Sequence, residues 1–467
     1  MSRRSADGLG GVFADELTLR RARRVAAGLS RMLEADRAVL RGVVVGYDAR
    51  FLSARFAAAT AEALADRGVP VALAKAPLPA PALAWAVARG RRAAGISWSG
   101  GDRPPEEGQL LIHGPGGAPA SHAFVSRLLS FSEAVEESSK PPARRRHAAV
   151  RRFDPKPAYL AALLRLAAGP RAKRTRLRVG CDARHGSAAG WLSGACARAG
   201  FRVQALHDDP HPEFGGLLPA CGERELADLG RSVRRGRLSL GLAVDGDGGR
   251  FGVVDAKGAV VPAGAVMALV ADFLLETGRL RGGVSRSRAT THLLDDVAAA
   301  HGRPLFETAG GFGSVLEPLL RGEAGLACEE GGSLALRSHL PDRDGLLAVL
   351  LAATMTAVRR RPIGEQLIAL FRRIGPRCGR RIDYHVDAAT RDRVVRRLEE
   401  PPARFAGRAI QRLAVADGDN KWIFADGAWV LFRAAHDEPA LRCHLEARSA
   451  RDLEALTRAV RELLATE

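Results

Sequence analysis

Cysteine is scarce and unpatterned in this chain. Its six cysteines (Cys181, Cys196, Cys221, Cys328, Cys378, Cys443) are scattered, and none falls in a Cys-x-x-Cys spacing. A zinc or disulfide framework therefore has no support, and buried reduced thiols are the expectation. Long hydrophobic runs are also missing. The longest, residues 263–275, is interrupted by Asp272 and too short for the about 20 residues a bilayer span needs. Residues 1–24 are basic but carry no apolar core and no small-residue cleavage site, so no signal peptide is expected. A cytoplasmic protein without membrane association is the resulting expectation.

What the chain has in excess is positive charge, +19 at pH 7 with a pI near 10.8. Such a balance ordinarily raises nucleic-acid binding. Here the basic residues are almost all arginine and dispersed, and the runs Arg144-Arg145-Arg146 and Arg359-Arg360-Arg361 have no interleaved aromatics to stack bases. Nucleic acid is not an expected partner. A basic cleft for sugar phosphates fits better, because phosphate monoesters also call for clustered guanidinium donors. The 467 residues exceed one core and predict three or four domains, and 46% hydrophobic with 26% charged residues predicts a soluble globular protein.

The chain repeats itself. Val45-Gly46-Tyr47-Asp48-Ala49-Arg50 and Val179-Gly180-Cys181-Asp182-Ala183-Arg184 each end an apolar strand. Each is followed by an Ala-rich helical stretch (54–67, 188–199) and a further strand (69–74, 201–206). That is the rhythm of parallel α/β layers, and a third copy starts with a strand at 283–289 and a helix at 291–300. A polar, Pro-rich joint at 138–144 separates the first two. From about Gly375 short strands dominate (410–416, 421–425, 428–433, 441–447), closed by a helix at 450–464. The predicted domains are 1–140, 150–256 and 257–372, all α/β, then an α+β domain at 375–467.

The most informative stretch is Asp245-Gly246-Asp247-Gly248-Gly249-Arg250, set between apolar strands. Carboxylates on alternate residues of a tight loop are how hard divalent cations are held. It resembles the Asp-Gly-Asp-Ala-Asp-Arg metal loop of the α-D-phosphohexomutases, the phosphoglucomutase/phosphomannomutase superfamily. Phe214-Gly215-Gly216, Ala289-Thr290-Thr291-His292, Arg337-Ser338-His339-Leu340-Pro341 and Arg343-Asp344-Gly345 are similar to that superfamily's sequence in the expected order. The resemblance implies three tandem α/β domains and a C-terminal α+β domain around a central cleft. It also implies phosphoryl transfer between a serine and sugar hydroxyls, assisted by one Mg²⁺.

The chemical loops depart from that pattern. Residues 95–104 fit the family's nucleophile loop without a gap, and Gly101 takes the serine's place. Ser99 is the candidate substitute, but it lies two residues upstream, about 7 Å in extended backbone, while reacting atoms approach to about 3–3.5 Å. With one residue deleted, the family's acid/base lysine falls on Leu110. Asp245 and Asp247 remain as candidate metal ligands, while the third acid is Gly249. Two of four anionic ligands are thus gone, so Mg²⁺ is expected to bind weakly and the acids to cap the turn. Arg250 is expected to pair with Asp245 or meet substrate.

In the sugar loop Cys328-Glu329-Glu330-Gly331-Gly332-Ser333, the resemblance implies that Glu329 accepts from sugar hydroxyls, with Ser333 standing in for a serine lost at Gly331. The phosphate loop is Arg433-Ala434-Ala435-His436-Asp437-Glu438-Pro439; Arg433 and His436 are the candidate phosphate contacts, and Asp437 would repel a phosphate dianion. The N-terminal Arg of the family pattern is Gly10, its domain III Lys is missing from Gly310-Gly311-Phe312-Gly313, and Pro-Glu-Pro is Pro219-Ala220-Cys221. Fold motifs survive while polar chemistry is lost. Two readings follow: a catalytically impaired relative that binds a hexose phosphate or a protein partner such as an active paralogue, or an enzyme of altered mechanism using Ser99 or direct transfer between bound sugars.

Overall fold

The computed structural model describes residues 4–5, 8–134, 147–167, 177–416, 418–434 and 440–465. The expected joint at 138–144 and His436 lie outside the described residues. The chain divides into two compact units, Met1–Val266 with Gly331–Gly364, and Met267–Glu330 with Glu365–Glu467.

The first unit holds two sheets. One runs Arg4–Ser5, Gly8–Val12, Glu107–His113, Ala94–Ser99, Val43–Tyr47, Val71–Ala74, Val150–Phe153. Val43–Tyr47 pairs in parallel with both Val71–Ala74 and Ala94–Ser99. All its residues are buried, as a near-continuous Val run covered on both faces should be. The helix Ser53–Ala65 crosses between the strands. Val150–Phe153, assigned from sequence to the second domain, pairs in parallel with Val71–Ala74 and so completes the first sheet. Its Arg151 and Arg152 are exposed, which suits an edge strand.

The other sheet runs Val260–Val261, Phe251–Val254, Leu240–Val244, Arg178–Asp182, Arg202–Leu206. Here Arg178–Asp182 pairs in parallel with both Leu240–Val244 and Arg202–Leu206. The repeated Val-Gly-x-Asp-Ala-Arg segments thus leave equivalent strands of two similar sheets.

In the second unit Leu305–Thr308, Gly283–Ser287 and Ala324–Glu329 form a parallel set. The C-terminal sheet runs Cys378–His385, Ala440–Ala447, Trp429–Ala434, Asp419–Phe424, Arg408–Ala416, Arg404–Phe405 and is antiparallel throughout. Helix Ala450–Ala465 closes its core of Trp422, Phe424, Val430, Phe432 and Leu445. Asp272, which interrupts the long apolar run, is buried in the helix Ala263–Glu276. Its charge is met by Arg373 and by His301 Nε2 at 2.8 Å. Among the described residues no helix is long and apolar enough to cross a membrane.

Candidate functional site

Asp48 organises the loop that would carry a nucleophile. It is buried and accepts from the Arg50 amide (3.0 Å), the Ser53 hydroxyl (2.9 Å), the Ser99 hydroxyl (3.0 Å) and the Gly100 amide (3.0 Å). The Arg50 guanidinium pairs with Asp48 and donates to the carbonyls of Gly101 (3.2 Å) and Arg103 (2.6 Å). It also lies over the Phe214 ring, 4.7 Å from the centroid. A buried ion pair tolerates desolvation only when its remaining donors and acceptors are met. Here loop backbone meets most of them, accepting from Arg50 Nη2 and donating to Asp48, while Arg50 Nε has no partner among the described residues. The second copy works alike: Asp182 accepts from the Arg184 amide (2.8 Å) and His207 Nδ1 (3.0 Å), and Arg184 reaches the Leu218 carbonyl (2.8 Å).

Ser99 is only 1% exposed, its hydroxyl held by Asp48 and accepting from the Gly101 amide at 3.4 Å. This is a loop anchor's environment. Gly101 has φ +58°, and a Cβ built there would stand 3.5 Å from Asp247 Oδ2. The two loops therefore meet where the sequence placed nucleophile and metal.

In the loop 245–250, Gly248 closes the turn with φ +77°. Asp245 Oδ1 accepts from the Arg250 amide (3.0 Å) and Asp247 Oδ1 from the Gly249 amide (2.9 Å), so both acids cap the turn. Burial, and then the neighbouring Asp247 charge, push the Asp245 carboxyl well above the usual range, with Arg250 partly opposing. The Arg250 guanidinium, expected to pair with Asp245 or meet substrate, reaches Asp102, the residue after Gly101. Burial opposes ionisation of Asp102, yet Arg250, a backbone amide, Arg343 and Arg103 hold its carboxyl below the ordinary value. Ser333 bridges backbone to backbone with Arg250 and is fully buried. The Ser333 hydroxyl, a candidate sugar contact, has no hydrogen-bond partner among the described residues.

The segment after Ser333 is fastened to this loop. His113 Nε2 meets Asp342 at 2.8 Å, and Asp344 accepts from the Tyr159 hydroxyl (2.7 Å), meets His339 Nε2 (2.8 Å) and caps the helix Gly345–Arg359 through the Leu347 amide (2.9 Å). The Gly345 amide donates to the Gly248 carbonyl at 3.0 Å. A Cβ at 345 would come within 2.4 Å of the Arg250 carbonyl oxygen, so only glycine fits the approach.

The second unit holds a separate cluster. Arg433 donates through Nε and Nη2 to Asp419 (2.8 and 3.0 Å) and through Nη1 to Glu330 (2.5 Å). Glu330 also accepts from the Ser287 hydroxyl (2.5 Å). Against the effect of burial, Arg433 and His444 pull the Glu330 carboxyl down to about 2. Glu329, named from the sequence, is half-buried at the end of Ala324–Glu329; its neighbour Glu330 is the acid joined to Arg433. Deeper, Lys421 donates to the Arg288 carbonyl (2.7 Å) and Glu307 (2.9 Å), meets His292 Nε2 (2.9 Å), and lies 4.5 Å from the Trp429 ring centroid. Burial, followed by the Arg286 charge, lowers the Lys421 pKa to about 8.

Sequence reading missed Asp48, Asp102, Glu330 and Lys421 as electrostatic centres. Asp48 had a signal, its recurrence as Asp182. Asp102 and Glu330 stood inside loops already singled out, but only their partners reveal them.

Three family models match in order: phosphoglucomutase/phosphomannomutase alpha/beta/alpha domain I over residues 2–138, domain II over 157–258 and domain III over 263–374. A phosphoglucosamine mutase of Saccharopolyspora erythraea is 31% identical over 371 residues, covering 75% of this chain and 81% of that protein. A crystal structure from Thermus thermophilus, described as a phosphomannomutase, superposes with TM-score 0.86 at 28% identity over 100% of both chains. A phosphoglucomutase/phosphomannomutase family protein from Burkholderia thailandensis shares the fold, with TM-score 0.80 at 21% identity, over 99% of this chain and 96% of that one.

Proposed function

Because this chain belongs to the phosphoglucomutase/phosphomannomutase family of α-D-phosphohexomutases, we propose that it is a catalytically impaired member that binds a hexose or hexosamine phosphate weakly. The observation that carries this reading is Gly101. It occupies the point facing Asp247 where a phosphate-bearing hydroxyl would stand, and glycine has no oxygen to carry phosphate. The nearest candidate, Ser99, has its hydroxyl turned to Asp48 and buried. Activating a serine requires a base within hydrogen-bond reach and room for the acceptor. Asp48 is in reach, but it already receives four other hydrogen bonds or ion-pair contacts and is buried with Ser99.

The ligand class rests on the relatives, which include a phosphoglucosamine mutase and a structure described as a phosphomannomutase. Arg433 is the candidate phosphate contact and Glu329 the candidate hydroxyl acceptor, with a cytoplasmic setting as part of the proposal. Magnesium is not required in this reading. The deciding experiment is a mutase assay with glucose 1-phosphate and glucosamine 1-phosphate, each with its bisphosphate activator and Mg²⁺, alongside intact mass of the recovered protein. Negligible turnover and no added phosphoryl mass are expected. Turnover by the unmodified protein that disappears in Ser99→Ala would establish the altered-mechanism enzyme instead.

A further inference from the structure

We infer that the Arg343 guanidinium is a resident cation of the loop 245–250, standing where a divalent ion would otherwise balance its carboxylates. The inference takes from the family reading only what the loop would otherwise hold. It concerns cation binding, not turnover, so it can fail while the proposed function stands.

The donor set does not fit a magnesium ion. Magnesium keeps near-octahedral oxygen coordination and gives up water reluctantly, so it depends on anionic oxygens presented together. Asp245 and Asp247 each have one carboxylate oxygen engaged by a backbone amide, and Gly101 and Gly249 present no side-chain oxygen. Among the described residues no group of three or more His, Cys, Asp or Glu side chains is gathered to hold a metal.

The space a third acid would need is taken. A Cβ built at Gly249 would lie 3.0 Å from Asp247 Oδ1, 3.1 Å from Arg343 Cδ and 3.2 Å from Arg343 Nε. The stem and guanidinium of Arg343 thus flank the same point as the Asp247 carboxylate. Arg343 is not a passing side chain there. Asp342 is tied to His113, Asp344 is tied to Tyr159 and His339, and Gly345 is tied to the Gly248 carbonyl, so its backbone is fixed on both sides. Its charge also reaches Asp102, the acid that Arg250 holds from the other side. The loop has no acid at 249, and a permanent cation stands beside that position. A guanidinium stays charged at any working pH, so the loop would remain balanced whatever the supply of divalent ions.

Mn²⁺ titration followed by the electron paramagnetic resonance of free Mn²⁺ tests this, using the full chain, Gly249→Asp, Arg343→Ala and the double variant. The unmodified protein and Gly249→Asp should show no saturable site. Arg343→Ala should show weak binding, and the double variant one equivalent held at least about tenfold more tightly than in Arg343→Ala, as expected for an added carboxylate ligand. Arg343→Lys in the Gly249→Asp background should keep the ion out. One equivalent bound by the unmodified protein or by Gly249→Asp would overturn the inference, as would a folded double variant that binds none. Thermal unfolding is the second readout. Gly249→Asp should lower Tm more in the native background than in Arg343→Ala, because it collides with the Arg343 stem; an equal drop in both would also overturn it.

Discussion

The α-carbon of Gly101 faces the carboxylate of Asp247: a Cβ at 101 would stand 3.5 Å from Asp247 Oδ2, and beyond its chain neighbours only that carboxylate lies within 4 Å among the described residues. A side chain would fit there in space. The backbone is the obstacle, since φ +58° is a left-handed conformation that costs an L-residue about 1–2 kcal/mol.

Gly101→Ser should accordingly fold, lose about 1–2 kcal/mol of stability, and recover no mutase turnover. Chemical denaturation gives the first quantity and intact mass after incubation with glucose 1,6-bisphosphate the second. A phosphorylated, active single variant would show that the remaining loops are competent, against the proposed impairment.

Asp48→Ala should be far more damaging than Ser99→Ala. Removing Asp48 leaves the buried Arg50 guanidinium without its carboxylate, a loss of about 3–5 kcal/mol. Removing the Ser99 hydroxyl forfeits one hydrogen bond to a charged acceptor, about 1.5–3 kcal/mol. Urea midpoints order the two. A Ser99→Ala loss equal to that of Asp48→Ala would contradict the anchoring arrangement.

Glu330 should make stability acid-sensitive. Its folded pKa of about 2 lies below its ordinary value, so the folded state holds fewer protons than the unfolded state between about pH 4.3 and 2. Stability contributed by Glu330 is present above that window and is lost as pH falls through it. In Glu330→Gln the fall across the window should be shallower; an unchanged slope would remove Glu330 from the account.

Lys421 should act at the alkaline end. Burial lowers its pKa to about 8, so between there and its ordinary value near 10.4 the unfolded state binds the extra proton and stability rises with pH. The urea midpoint of the native protein should therefore climb from about pH 8 to 10 relative to Lys421→Met. Parallel curves for the two proteins would mean that Lys421 titrates normally.

Calorimetry with glucose 1-phosphate should give the same weak affinity with and without Mg²⁺. Arg433→Ala should abolish it, since a hydrogen bond to a charged group contributes about 1.5–3 kcal/mol. The affinity should be weak because phosphate would have to compete with Asp419 and Glu330 for that guanidinium. Mg²⁺-dependent binding that vanishes in Asp247→Asn would restore the metal site. Binding in neither condition would leave a protein partner as the remaining reading.

Local pattern carried the architecture. Apolar runs broken by Gly and Asp turns, recurring as Val-Gly-x-Asp-Ala-Arg, marked the parallel strands, because strand burial and turn conformation depend on neighbouring residues. The missing hydroxyl at Gly101 and missing carboxylate at Gly249 were legible for the same reason: a side chain's chemistry needs no fold to be read. Tertiary structure alone decided the pairings. Arg250 reaches Asp102 across 148 residues, Ser99 turns inward to Asp48 across 51, and Arg433 is held by Glu330 across 103. A guanidinium has many carboxylates to choose from in so charged a chain, and only the packing of distant loops determines which one it meets. Arg343 shows this most clearly: a residue inside a family-like motif in the sequence, and in the fold the cation beside the position its loop left vacant.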